Sequence, residues 1–119
     1  MGKHLPHVSL SDVVTMTDEP TGLVLLGRLH KAIRVEAKPE RKQPAKLELY
    51  VLGGQKDPYK VVFRADDDGT YPDEAEEIAA QGFGAFVYAL VDVNSGGFKN
   101  ERDEVVEYIN FRVIKWVDV

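Results

Sequence analysis

Apolar and polar residues alternate with a period of two over several stretches of the chain, the pattern of half-buried β-strands. Residues 45–52 read AKLELYVL and residues 59–65 read YKVVFRA, with the glycine-containing turn Gly53–Pro58 between them. These stretches predict a β-hairpin with an apolar inner face. The predicted outer face of the hairpin carries Lys46, Glu48, Tyr50, Lys60, Val62 and Arg64.

The preceding stretch, Gly22–Ala37, reads GLVLLGRLHKAIRVEA and predicts a long first strand. Its odd positions are mostly apolar, and its cations Arg28 and Arg34 fall on even positions, so both are expected on one face. Gly27 predicts a bulge or bend inside this strand. A helix over Leu23–Ala32 is the competing interpretation, because periodicity is ambiguous in so short an apolar run.

The second half of the chain predicts one helix followed by two strands. A proline and the acidic residues behind it suit the first turn of a helix over residues 72–81, and Gly82 suits the position just past its end. Ala85–Val93 and Val105–Val119 read as strands. A charged loop containing glycine, Asn94–Asp103, is predicted to join them.

Three strands, a helix and two strands follow one another in the order of an OB-fold, a five-stranded Greek-key barrel. We therefore predict an all-β domain with one short helix over residues 21–119. Residues 1–20 predict a flexible N-terminal arm with a short strand or turn over Ser9–Met16. OB-folds bind oligonucleotides on their second and third strands and on two loops, here Lys38–Pro44 and Asn94–Asp103.

Charge is divided along the chain although the net charge is −5. Residues 22–64 hold ten Lys/Arg against four acids, a net of +6, and residues 65–119 hold four against thirteen, a net of −9. A polyanion responds to the local field, so the basic half predicts an anion-binding face, with a merely solvated lysine-rich face as the alternative. Aromatic rings among cations suit stacked bases. The candidate nucleic-acid-binding residues are Arg28, Arg34, Lys38, Arg41, Lys42, Lys46, Tyr50, Lys60, Arg64, Phe98, Lys99 and Arg102.

Two aromatics among these candidates, Tyr50 and Phe98, are the predicted stacking residues. Packing of Tyr50 against a sheet face or a subunit contact remains its alternative. The other aromatics weighed are expected to pack in the core or at its rim, as aromatics of small barrels do: Tyr59, Phe63, Phe111 and Trp116.

Residue types and spacings give no sign of an enzyme. The chain has no cysteine, which excludes disulfides and thiolate chemistry. Asp66–Gly69 lacks the spacing of a calcium loop and reads as a solvated turn, and no catalytic triad or nucleotide fingerprint is present. We expect no cofactor, no metal site and no catalytic site. Lacking an apolar run of membrane-spanning or signal-peptide length, the chain is expected to be cytoplasmic.

Several features in order resemble the single-stranded DNA-binding protein family of bacteria and phages. They are Leu26-Gly27-Arg28-Leu29 in an early strand, a basic first loop, a hairpin ending in an acidic turn, a helix, Gly82-Phe83-Gly84, an apolar fourth strand and a long loop before the last strand. The resemblance covers residues 20–119. Bacterial members usually carry an acidic tail that recruits partners, whereas this chain stops at Trp116-Val117-Asp118-Val119, which favours the phage or mobile-element type.

This resemblance implies an OB-fold protein that binds single-stranded DNA with little sequence preference, coating it during replication, recombination or transfer. RNA is left open as a ligand, and a homo-oligomer, a dimer or tetramer, is expected. Two alternatives stand beside it. One is a non-enzymatic β-barrel that mediates protein–protein assembly in a virion or mobile element, and the other is an oligosaccharide-binding barrel, which would not need the basic half.

Overall fold

The computed structural model describes residues 5–11, 23–54 and 57–118. In these residues the protein is mostly β-structure with one short helix, as predicted. The strands are β1 (His7–Ser9), β2 (Leu23–Val35), β3 (Lys46–Leu52), β4 (Tyr59–Arg64), β5 (Phe86–Lys99) and β6 (Val105–Asp118); helix α1 is Asp73–Gln81, and a 3-10 turn covers Pro39–Arg41. None of the helices in this described part is long and apolar enough to span a membrane.

The six strands form one sheet that curls into a ring. Its order is β1-β6-β4-β3-β2-β5, and β5 pairs again with β6. Most neighbours are antiparallel, but β4 and β6 run parallel and meet at a single pair, Val61 and Phe111. Beyond that point β1 takes over the same edge of β6, pairing in parallel with Trp116, Val117 and Asp118. Of the junctions between neighbouring strands of the ring, the one between β4 and β6 therefore has the fewest paired residues.

The predicted strands and the predicted helix all have counterparts in the structure. Five strands and the helix occur in the predicted order, and the competing helix over Leu23–Ala32 is wrong, because β2 is extended throughout. The sixth strand, β1, lies in the predicted N-terminal arm. Of the strand or turn predicted over Ser9–Met16, residues 12–16 lie outside the described residues, as do residues 1–4 and 17–22.

A β-bulge in β2 reverses which side chains point outward. Leu29 pairs with Val51 but Lys31 pairs with Tyr50, so His30 is an extra residue opposite β3. After a bulge the alternation changes phase. The expectation that Arg34 shares the face of Arg28 is therefore wrong, and Lys31 takes that place. The predicted irregularity at Gly27 lies three residues further along.

The core fills the ring and is closed by α1. Buried side chains come from alternate positions of β3, β4 and β5, while Ala75 and Ile78 of α1 seal one end. Phe63 and Trp116 are buried, as predicted. Their rings stack 6.0 Å apart, and Trp116 points inward because a second register shift, at Leu90 and Val91, leaves Ile114 as an extra residue in β6.

The loop predicted over Asn94–Asp103 is wrong. β5 continues to Lys99 and β6 begins at Val105, so the two strands form a long hairpin with a short turn at residues 100–104. Residues 93–109, which we call the ribbon, are exposed on both faces except for the half-buried Asn100. Both glycines of the ribbon lie in the ladder, where Gly96 faces Tyr108 and Gly97 faces Glu107. Strand pairing with β6 thus overrides the local turn propensity of Ser95-Gly96-Gly97.

Candidate nucleic-acid interface

The outward side chains of β2, β3 and β4 form one continuous surface, which we call the basic face. Register places Lys31 opposite Tyr50, Tyr50 opposite Lys60, and Lys46 opposite Arg64. Directly paired residues share a face of the sheet. The intervening residues Leu47, Leu49, Val51, Val61 and Phe63 are buried. The charged side chains of the basic face are Arg28, Lys31, Lys46, Glu48, Lys60 and Arg64.

Glu48 is the one carboxylate among the described outward side chains of these three strands, and it is already neutralised. Its carboxylate lies 2.9 Å from the Lys60 ammonium and accepts a hydrogen bond of 3.4 Å from the Tyr50 hydroxyl. It is only 8% exposed, so it lies beneath its two partners. The surface is therefore a field of cations with little opposing charge, which suits a polyanion.

Tyr50 lies at the centre of the basic face, half-buried on β3. The Lys31 ammonium is 4.9 Å from the centre of its ring, a cation–π contact. Burial, and next the negative charge of Glu48, raise the pKa of the Tyr50 hydroxyl above its usual value. The basic face thus combines an aromatic ring with cations, the two features that single-strand binding surfaces use.

A cleft of about 550 Å³ opens at one end of the basic face, where β4 and β6 diverge. One wall carries Lys46 and Arg64, and in the part of the chain that the structure describes neither pairs with a carboxylate. Two like charges directly opposite on a sheet repel each other, and an anion between them would relieve that repulsion. Leu5 and Pro72 also line the cleft.

The opposite wall of the cleft comes from the base of the ribbon. Asn94 and Asn110 face each other across β5 and β6, and both line the cleft with Arg112. Arg112 donates to Asp92 at 2.5 Å, and this hydrogen bond raises the pKa of its guanidinium. The wall therefore offers two amides, which can donate to phosphate or to base edges, beside an ion pair.

Three predicted cations lie on the connection between β2 and β3, which is an exposed loop as predicted. Lys38 pairs through its backbone with Gln43, and Lys42 has a positive φ of 54° after the 3-10 turn. Lys38, Arg41 and Lys42 are all exposed. Because β2 ends and β3 begins at this loop, these cations extend the end of the basic face that holds Lys46 and Arg64.

Four other predicted binding residues lie away from this surface. The Arg34 guanidinium points to the opposite side of β2 and donates to both carboxylate oxygens of Glu76 in α1, at 2.5 and 3.2 Å. That pairing raises the pKa of Arg34 and lowers the pKa of Glu76. The remaining three, Phe98, Lys99 and Arg102, lie in the ribbon and its turn, and Phe98 is roughly 13 Å beyond Asn94 at strand rise.

For some residues of the candidate interface, the sequence gives no strong indication that they lie on this surface. Lys31 occupies a position that simple alternation assigns to the inner face, and only the bulge turns it outward. Asn94, Asn110 and Arg112 meet because β5 and β6 pair beyond the body of the ring. The one sign of that extension in the sequence is the unusually long alternation from Val105 to Asp118.

No protein-family model matches the chain, and no curated protein matches it at a significant level. Nor does any group of three or more His, Cys, Asp or Glu side chains within the described ranges have the arrangement to hold a metal ion. Asp66 instead organises a turn, accepting hydrogen bonds from the backbone N–H groups of Asp68 and Thr70, both at 3.0 Å. The basic face and the cleft are therefore the features of the molecule that indicate a function.

Proposed function

We propose that this protein binds single-stranded DNA along the basic face and binds the phosphate backbone in its cleft. The observation that carries the proposal is the outward set of five cations on three adjacent strands, opposed by one buried and paired carboxylate. Cations that follow the backbone and a ring that stacks bases are the two parts of a single-strand binding surface. Neither part reads base edges. With the Asn94 and Asn110 amides of the cleft donating to phosphate, little sequence preference is expected.

The pairing order of the strands supports an OB-fold for the ring. With β2 to β6 taken as its five strands, the sheet runs β2-β3-β4-β6-β5 and returns to β2, with α1 between the third and fourth. In an OB-fold the second and third strands carry the ligand, and these are β3 and β4. An OB-fold assignment and the charge distribution therefore point to the same surface, which supports the proposal. Coating of single strands in replication, recombination or transfer is the role that this surface would serve.

Titration of a labelled thirty-mer of dT at several salt concentrations tests the proposal. Binding is expected to weaken steeply with salt and to exceed binding to a duplex of the same length. Each phosphate contact contributes about 0.7 to the slope of log K against log salt for single strands. Lys46→Gln and Arg64→Gln should each flatten the slope by about 0.7, whereas Lys115→Gln on β6 should leave it unchanged. Absence of binding at low salt would refute the proposal.

Tyr50→Ala separates stacking from charge. Loss of one stack costs about 1–3 kcal/mol of binding free energy at constant salt and leaves the salt slope nearly unchanged. Tyr50→Phe is the matched control, because it keeps the ring and removes the hydrogen bond to Glu48. Equal affinity of the wild type and the Ala variant would remove Tyr50 from the interface.

A second candidate function, assembly with other copies of the chain, is favoured by the ribbon. Its exposed apolar side chains on both faces are Val93, Phe98, Val105, Val106, Tyr108 and Ile109. Exposed apolar clusters of this kind mark protein–protein contacts. A dimer or tetramer should then appear in light scattering at micromolar concentration, and Val105→Ser with Ile109→Ser should reduce its mass to that of a monomer. A monomeric wild type would exclude self-assembly.

A further inference from the structure

A second cation–aromatic cluster lies on β2 and β5, outside the cleft. The Arg28 guanidinium is 4.6 Å from the centre of the Phe86 ring, and the Phe86 and Tyr88 rings stack 5.5 Å apart with 22° between their planes. Phe86 is 55% exposed. We call Arg28, Phe86 and Tyr88 the second aromatic site.

This site is continuous with the basic face. Arg28 pairs with Leu52 of β3 on one side and with Phe86 of β5 on the other, so its side chain belongs to both surfaces. Lys31, which covers the Tyr50 ring, is three residues further along β2, roughly 10 Å away. Two cation–ring pairs thus stand side by side on one outward surface, Lys31 with Tyr50 and Arg28 with Phe86.

Charge on this part of the surface favours a polyanion over an uncharged partner. The outward side of β2 carries Arg28 and Lys31 and no acid, and β5 has no acid from Phe86 to Val91. Arg28 has no carboxylate partner among the described residues, and its charge is held over an aromatic ring. Bases stack both on aromatic rings and on guanidinium planes, while phosphates pair with the guanidinium edge.

We infer that single-stranded nucleic acid continues from Tyr50 across β2 to a second stacking site at Arg28, Phe86 and Tyr88. This inference rests on the proposed function. From the pair Val35–Lys46 to the pair Leu26–Tyr88 is nine residues of β2, roughly 30 Å. At the spacing of about 3.4 Å per nucleotide along one strand of a duplex, the full path holds about nine nucleotides. The part from Lys46 to Tyr50 holds about four.

The affinities of oligo-dT of five and twelve nucleotides test the path. In the double variant Phe86→Ala with Tyr88→Ala, affinity for the twelve-mer is expected to fall about tenfold or more, and affinity for the five-mer much less. Tyr50→Ala should weaken both lengths. Arg28→Gln should flatten the salt slope for the twelve-mer by about 0.7. Phe83→Ala removes an exposed aromatic ring that lies on neither the basic face nor the second aromatic site, and it is the control for loss of exposed apolar surface. Circular dichroism checks folding of every variant.

Cross-linking gives a readout that does not depend on variants. A twelve-mer carrying 5-bromodeoxyuridine at each position in turn is irradiated with the wild-type protein, and cross-linked peptides are mapped by mass spectrometry. Cross-links to Tyr50 and to Phe86 or Tyr88 from positions several nucleotides apart are the expected result. Cross-links confined to Tyr50 would overturn the inference.

Two further outcomes separate this inference from its rivals. If the double variant binds the twelve-mer as the wild type does but has a smaller mass in light scattering, the second aromatic site is a protein contact and the inference is wrong. If Phe86→Leu retains full affinity, apolar area rather than stacking is at work, and the inference is again wrong. If the wild type binds neither oligonucleotide, the proposed function itself fails.

Discussion

The basic face and the ribbon both expose aromatic residues, but they differ in charge and in support. The basic face lies on a sheet whose other side is packed in the core, so Tyr50 and its cations project from a surface that the core supports. The ribbon has two strands with both faces in solvent and carries two bases against four acids. One of those bases, Lys99, already lies 3.5 Å from Asp103.

This difference is the reason for proposing the nucleic-acid surface at Tyr50 and not at Phe98. Tyr50 lies among cations, and the one carboxylate beside it is paired with Lys60. Phe98 pairs with Val106 in a ribbon whose acids outnumber its bases. A phosphate backbone would be attracted to the first environment and repelled by the second. Phe98, Lys99 and Arg102 therefore remain predicted binding residues with less support than Lys46, Tyr50 or Arg64.

The largest expected contrast concerns a glycine in each region. At Gly27 an added Cβ would overlap the backbone carbonyl oxygen of Leu52 and lie 2.7 Å from Val51 Cγ1. At Gly96 it would lie 2.6 Å from the hydroxyl of Tyr108, a side chain that can rotate away. Gly27→Ala should cost about 2–3 kcal/mol of unfolding free energy. Gly96→Ala should cost less than about 1 kcal/mol. Urea unfolding measures both free energies. Equal costs would contradict the expectation that the ribbon accommodates an added methyl group more easily than the packed strands do.

Next in size is the effect of neutralising two cations in each region. Lys46→Gln with Arg64→Gln should weaken oligo-dT binding roughly sixtyfold at 50 mM salt, because the double variant can no longer neutralise two phosphates. Lys99→Gln with Arg102→Gln should weaken it severalfold at most, because the ribbon acids already oppose phosphate. Fluorescence titration measures both affinities. Similar reductions in both doubles would show that the ribbon holds the strand as firmly as the basic face.

A smaller contrast involves one glutamate from each region. Glu48→Ala removes the partner of Lys60 and Tyr50 and should cost about 1–2 kcal/mol of unfolding free energy. The same change should strengthen oligo-dT binding, since the basic face gains net positive charge. Glu107→Ala in the ribbon should change stability by less than about 0.5 kcal/mol. A Glu48→Ala variant that binds oligo-dT more weakly would contradict the assignment of the basic face.

The smallest expected effect is a pH dependence of stability that arises at β1 and not in the ribbon. The two ring nitrogens of His7 in β1 form hydrogen bonds with Asp118 at 3.0 Å and with Glu74 of α1 at 3.1 Å. The hydrogen bond with Asp118 is the main cause of the raised pKa of His7. A raised pKa means that protonated His7 stabilises the fold. This contribution is complete below the unfolded pKa of about 6.5 and is lost as pH rises through the folded value.

Thermal unfolding between pH 5.5 and 8.5 measures this contribution. The melting temperature of the wild type should fall relative to that of His7→Gln as pH rises, and the two should converge above the folded pKa. The ribbon variant Glu107→Gln should keep the wild-type profile. Parallel curves for the wild type and His7→Gln would show that the His7 contacts do not stabilise β1.

Much of the fold follows from local chemistry. The alternation over residues 45–52 and 59–65 predicts β3 and β4 to within a residue, with the inner side chains Leu47, Leu49 and Val51 correctly assigned. Helix α1 begins at Asp73, one residue after the proline predicted to start it, and ends before Gly82, whose φ is 78°. These features are determined by residues near one another in sequence, because alternation and helix termini are local properties.

The outward side of β2 was decided only by the tertiary structure. The bulge at His30 is a mismatch between two strands far apart in sequence, and nothing within β2 specifies it. It places Lys31 on the basic face and Arg34 on the opposite side of β2, where Arg34 pairs with Glu76. The bulge at Ile114 likewise turns Trp116 into the core. The ribbon has the same origin, since pairing of β5 with β6 across Gly96 and Gly97 satisfies backbone groups that a loop would leave to water. Alternation determined which residues could share a face, and inter-strand register determined which of them do.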